Sequence, residues 1–300
     1  MLVPGVGIFT HLRTWIVEMA YVDLLLHINS YPTPTTPAAI DEAIGIAASL
    51  GGHLTGLAVE VTIPPPSNRL ADYLAGLSAM ASRAQADSRE ACRAGLAHFE
   101  NQAKLTGVFE TAISAQAHHL LVADHVAMVA RTRDFCILPL IGDDDSQTGI
   151  ARSVVFGSGR PILIFRAGES GGLSTGPDMV VVAWDGTRCA ARAVADALPI
   201  LARAKQVKVL TVLNEKAAAT RNLGAEVGRH LQMHGVSVIV DEVDADGHAI
   251  GDVLGRYLKQ HEPDLLVMGA YGHSRAQEFL LGGATEHTLR NPICPVFLSH

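Results

Sequence analysis

The sequence predicts an α/β protein made of two repeated, doubly wound, mainly parallel five-stranded sheets flanked by helices. Three observations lead there. Short, nearly all-apolar runs of strand type alternate with longer segments of helical spacing, the pattern of parallel strands covered by helices on both faces. The same order of elements occurs twice. The one convincing linker, 167–177 (AGESGGLSTGP), is rich in Gly and Ser and falls between the two copies.

The first copy opens on the strand-like run Leu24-Leu25-Leu26-His27-Ile28. Three prolines and three threonines in 31–37 then break regular structure. Residues 38–50 carry Ile40, Ile44 and Ala47 at helical spacing, and Gly51-Gly52 ends that helix. A second strand is expected at 53–59, and 63–67 (IPPPS) is a stiff connection. The alanine-rich stretch 70–105 reads as one long helix or two, marked by Leu70, Leu74, Leu77, Ala81, Cys92, Leu96 and Phe99. A strand at 109–113, a helix at 117–131, a strand at 135–138, a short helix at 151–157 and a strand at 161–165 complete the copy.

The second copy repeats this order. A strand at 179–183 ends on Trp184-Asp185-Gly186-Thr187, and a helix follows over 188–204. Strands at 207–213, 236–240 and 265–268 alternate with helices at 220–234 and 248–258. A helix from about Thr285 to 290 and a strand at 295–298 close the chain. Local matches support the duplication. Asp134 precedes Phe-Cys-Ile-Leu as Asp264 precedes Leu-Leu-Val-Met, and Pro161-Ile-Leu-Ile matches Pro295-Val-Phe-Leu. The last strands, around Pro161 and Pro295, are expected to pack on each other.

The organising stretch lies between the final two strands. Gly269 and Gly272 leave the carboxyl end of the strand at 265–268, and Gly282-Gly283 precede a helix. Glycines let a ligand approach the main chain closely. Peptide N–H groups converging at a helix start bind anions without a positive side chain. In such sheets ligands sit beyond the carboxyl ends of the strands, at the switch in strand order. The glycine loop and Asp185 both fall there.

Composition excludes several alternatives. The 300 residues are 48% apolar and 18% charged, enough for a substantial core in about two domains. A net charge of −7 argues against a general nucleic-acid binder, which must neutralise many phosphates. Cys92, Cys136, Cys189 and Cys294 are far apart in sequence, so no metal or redox pair is expected, and reduced thiols suit a cytoplasmic protein. No apolar run approaches the ~20 residues of a membrane span. His118, His119 and His125 lack Cys or carboxylate partners at ligand spacing and read as surface histidines. Residues 1–18 fit neither repeat and read as a dispensable extension.

Gly269, Gly272 and Gly282 have the Gly-x2-Gly-x9-Gly spacing of the universal stress protein family, and Asp185 and Pro295-Val296 fit its other marks. The chain therefore resembles that family in its tandem form, closely over about 179–300 and more weakly over about 21–166. The resemblance implies the adenine-nucleotide alpha hydrolase-like fold. It divides the chain into an extension (1–18), a degenerate domain (19–166), a linker (167–177) and a domain with an intact-looking glycine loop (178–300). It further implies a nucleotide-binding regulator of the stress response, with an interaction scaffold or a slow ATPase as alternatives. Asp185, flanked by Ala183 and Trp184, would bond the base or ribose region, and Val212 would line the adenine pocket. Gly269 and Gly272 would give the loop its reach, and Gly282, Gly283, Ala284 and Thr285 would meet the phosphates. The expected ligand is ATP, with or without Mg²⁺. The expected partner is the other half of the same chain, as an intramolecular pseudo-dimer, with a homodimer of whole chains as a further step. No catalytic residue, metal site, nucleic acid or membrane is assigned.

Two departures shape the expectation. Gly283 stands where the family has Ser or Thr, which keeps a backbone donor and loses a hydroxyl. A hydrogen bond to a charged group is worth roughly 1.5–3 kcal/mol. In the first copy Pro139-Leu-Ile-Gly142 replaces the glycine pair, Asp143-Asp144-Asp145 would repel phosphate, and Asn29 falls near the place of Asp185. That copy is expected to bind no nucleotide.

Overall fold

The computed structural model describes residues 21–64, 76–142, 145–168, 171–213, 222–270 and 283–300. The expected extension at 1–18 lies outside these residues.

The strands are β1 (Asp23–Ile28), β2 (His53–Thr62), β3 (Phe109–His118), β4 (Phe135–Leu140), β5 (Ile162–Arg166), β6 (Met179–Ala183), β7 (Gln206–Leu213), β8 (Val238–Asp244), β9 (Leu265–Gly269) and β10 (Val296–Ser299). The helices are α1 (Pro37–Leu50), α2 (Leu77–Thr106), α3 (Val122–Ala130), α4 (Asp145–Gly157), α5 (Arg188–Leu201), α6 (Leu223–Met233), α7 (Ile250–His261) and α8 (Gly283–Arg290). All ten strands form one sheet, in the order β3-β2-β1-β4-β5-β10-β9-β6-β7-β8. Within each half the pairing is parallel. The halves join through β5 and β10, which pair antiparallel with Leu163 opposite Phe297. The expected packing of the last strands is thus an edge-to-edge bond that makes two five-stranded sheets continuous.

Helices cover both faces, as all-apolar parallel strands require. Alternate side chains of β1 separate the two cores: Leu24, Leu26 and Ile28 enter one, Leu25 the other. The first core lies under α1, α2, α5 and α6, and the second under α3, α4, α7 and α8. Both run through the seam. Tyr21 packs edge-on against Phe135 at 4.8 Å, and Phe135 against Phe297 at 5.7 Å.

The duplication extends to single hydrogen bonds. Asp134 Oδ2 accepts from the amides of Val22 and Asp23 at 2.7 and 2.9 Å. Asp264 Oδ2 accepts from those of Asp178 and Met179 at 2.7 and 3.0 Å. Each carboxylate therefore stations the opening of the first strand in its half. The 167–177 stretch is not a bare tether. A short helical turn (Gly171–Ser174) packs on α1. Ser49 donates to the Leu173 carbonyl at 2.6 Å, and Asp264 Oδ1 accepts from the Gly172 amide at 3.0 Å.

Several elements are longer than the sequence indicated. β3 runs through His118 into what read as helix, and β8 continues through Asp244. The helix expected from Thr285 begins at Gly283. All four cysteines are buried free thiols. Burial raises those of Cys92 and Cys136, and pushes Cys294 up to about 12. Among the described residues no helix is long and apolar enough to cross a membrane, and no group of three metal-ligating side chains converges.

Candidate functional site

Strand order reverses direction at β6. The chain leaves it toward β7 on one side and returns as β9 on the other. Ala183, near the end of β6, lies between Leu210 of β7 and Met268 of β9. Asp185, Val212 and Gly269 therefore all stand at the carboxyl ends of three adjacent strands.

Each of these residues has a local reason for its place. Trp184 continues the β6 ladder by donating its amide to the Leu210 carbonyl at 2.8 Å. Its indole is half-buried on the first core and donates to the Leu223 carbonyl at 3.0 Å, tying α6 to the end of β6. Trp184 is thus a packing residue. Asp185 is exposed, and its Oδ1 accepts from the amide and hydroxyl of Thr187 at 2.9 and 2.7 Å. Gly186 makes the turn at φ +72°, a conformation that favours glycine. Thr187, not Asp185, caps α5, its hydroxyl accepting from the Ala190 amide at 3.2 Å.

Gly269 serves a close contact. A Cβ there would stand 2.5 Å from the amide nitrogen of Ala190 and 2.5 Å from the carbonyl carbon of Cys189. The end of β9 therefore passes directly under the first turn of α5. Gly283 opens α8, and a Cβ on it would meet no atom within 4 Å. Ala284 is half-buried and packs on the second core, as does Ala183. Thr285 is buried. Val212 is half-buried. Gly272 and Gly282, with His273 and Arg275, lie outside the described residues.

At the corresponding positions of the N-terminal half, polar groups are engaged by one another. Strand register sets Asn29 at the position of Asp185 and Pro139 at that of Gly269. Asn29 is buried. Its amide donates to Thr35 Oγ1 at 2.8 Å and its side chain to the Thr33 carbonyl at 2.8 Å. Gln147, buried on α4, accepts from the Ile141 amide at 2.7 Å and donates to the Thr33 carbonyl at 3.3 Å. A side-chain amide thus occupies the main-chain donor of that loop. His27 takes the place of Ala183, and burial lowers its pKa to about 4, leaving a neutral ring. Asp143 and Asp144 lie outside the described residues. Gln147 gave no signal in the sequence, since its role depends on a fold-level meeting with Ile141 and Thr33.

An exposed carboxylate at a strand end can accept from ribose hydroxyls. A helix start with an unobstructed first residue can donate amides to phosphate.

Residues 178–300 match the model of the universal stress protein family. The structure resembles a universal stress protein from Archaeoglobus fulgidus DSM 4304, at 16% identity, over 92% of this chain and 95% of that one, with a TM-score of 0.64. It also resembles a protein of unknown function from Pseudomonas aeruginosa PAO1, at 13% identity, over 94% of this chain and 93% of that one, with a TM-score of 0.50. No curated protein matches. The fold of these proteins therefore spans nearly the whole chain, and residues 178–300 are similar to the universal stress protein family.

Proposed function

We propose that this protein is a nucleotide-binding regulator of the stress response that holds one adenine nucleotide per chain, in the C-terminal half. The observation that carries the reading is the contrast between two equivalent places. One half engages Asn29 and Gln147 with its own polar groups. The other presents Asp185, Gly269 and the start of α8 at a switch in strand order. The base would lie by Val212 and Asp185, with Ala183 and Trp184 forming the floor and edge. The phosphates would meet the amides from Gly282 to Thr285, with Mg²⁺ as a companion of ATP.

The specific rival is an interaction scaffold of the same fold. It is favoured by Gly283, which lacks the hydroxyl of the family motif, and by the engagement of Asp185 with Thr187. Calorimetric titration with ATP separates the two. The expected result is one site per chain in the micromolar range, lost in Asp185→Ala and in Gly272→Val. Gly283→Ser has open space for its side chain and is expected to tighten binding by about tenfold, the lower end of a charged hydrogen bond. No heat of binding in either protein leaves the scaffold. Two sites per chain would contradict a single site in the C-terminal half.

A further inference from the structure

The helix that begins the candidate phosphate site is held at both ends by the other half of the chain. α8 has only eight residues, too few to persist on its own hydrogen bonds. Its buried residues are Thr285, Thr288 and Leu289. In its first turn, both carboxylate oxygens of Glu286 accept from Nη2 of Arg152 on α4, at 2.9 and 2.8 Å. Glu286 Oε1 also accepts from Nε of Arg290, one turn on, at 2.8 Å. At the far end, Arg166 of β5 donates from Nη2 to the Arg290 carbonyl at 3.0 Å and from Nη1 to the Gly142 carbonyl at 3.3 Å. A cation there faces the negative pole of the helix.

The Arg152–Glu286 pair is partly shielded, with 34% and 17% of the two side chains exposed. Burial alone would raise the Glu286 carboxyl. Arg290 and Arg152 outweigh it and hold the group below the ordinary range. The pair is therefore formed throughout the neutral range.

We infer that the N-terminal half is a positioning unit for this helix, with Arg152 fixing its first turn and Arg166 seating its last. The inference rests on the nucleotide reading above and gives a role to the half that binds none. Main-chain donors serve an anion only while their directions hold to within about 0.5 Å and 10–20°. Two charged bonds to one carboxylate set the rotation of a two-turn helix, and the carbonyl bond sets its tilt.

The test uses the full chain and three variants: Arg152→Gln, Glu286→Gln and the pair together. ATP and adenosine are titrated into each, and amide hydrogen exchange across 283–290 is followed without nucleotide. Each single change is expected to weaken ATP by about fivefold or more, within the usual range of coupling between sites. The double variant should lose less than the sum of the two singles, because both break the Arg152–Glu286 contact, and Glu286→Gln should lose the more of the two because it also gives up Arg290. Adenosine, which has no phosphate, should bind all four proteins alike, and exchange across α8 should quicken in every variant. Additive losses would overturn the inference, as would a Glu286→Gln chain that binds ATP more tightly. So would equal loss of adenosine, which marks a general fault in folding. If wild type binds no ATP, the nucleotide reading falls by itself. Quickened exchange would then still support the clamp, and unchanged exchange would end it.

Discussion

Two glycines of one motif play different parts. Gly269 reads in sequence as a residue that gives the loop its reach. In the structure it is the place where β9 slides beneath α5 with no room for a methyl group. Gly269→Ala is expected to cost about 1–3 kcal/mol, the usual penalty of overpacking, visible as a lower denaturation midpoint. It should also displace the first turn of α5, carry Asp185 with it and abolish nucleotide binding. Gly283→Ala is the control. It enters open space on a helix and should leave stability unchanged or raise it by up to about 1 kcal/mol. The spacing of the glycines was legible from the sequence. Their division of labour was not, because it depends on a helix that arrives from far away in the chain. The same holds for Gln147, an ordinary polar residue until the fold sets it against Ile141 and Thr33.

At the level of elements, alternating runs of apolar and helical spacing located every strand and α-helix of the described residues, though α4 begins at Asp145 and not at 151. Two strand boundaries failed where burial was one-sided. β3 and β8 are the two edges of the sheet. An edge strand can carry the polar and charged residues of 114–118 and 241–244, which break the apolar signal on which a strand is recognised. Helix starts show the clearest correspondence between the halves. Thr36 caps α1 by accepting from the Ala39 amide at 3.3 Å, as Thr187 caps α5. Removing either hydroxyl should cost about 1 kcal/mol. Thr36→Ala should change only the unfolding midpoint. Thr187→Ala also removes one of the two bonds to Asp185 Oδ1, leaving the amide bond, and should alter ATP affinity as well. Equal nucleotide binding in both variants would show that the Thr187 hydroxyl bond to Asp185 does not shape the site.

Across the whole molecule, the duplication and the meeting of the last strands were visible in the sequence. The continuity of one sheet, and of two cores that cross the seam, was not. Those follow from β5 and β10 sharing a ladder. Phe297 is fully buried there, against Phe135 of the other half. Phe297→Ala is expected to cost about 3–5 kcal/mol. It should lower a single cooperative transition monitored from either half, with no separate early step.

The seam also has a near two-fold relation, since Leu163 faces Phe297, its own counterpart by the match of Pro161 to Pro295. Arg152 and Glu286 are counterparts by the same match, and they face each other. Any assembly of two identical halves about such an axis would bring guanidinium against guanidinium, or acid against acid. Covalent linkage of the halves lets opposite signs stand at mirrored addresses, so each half recognises its neighbour and rejects a duplicate of itself.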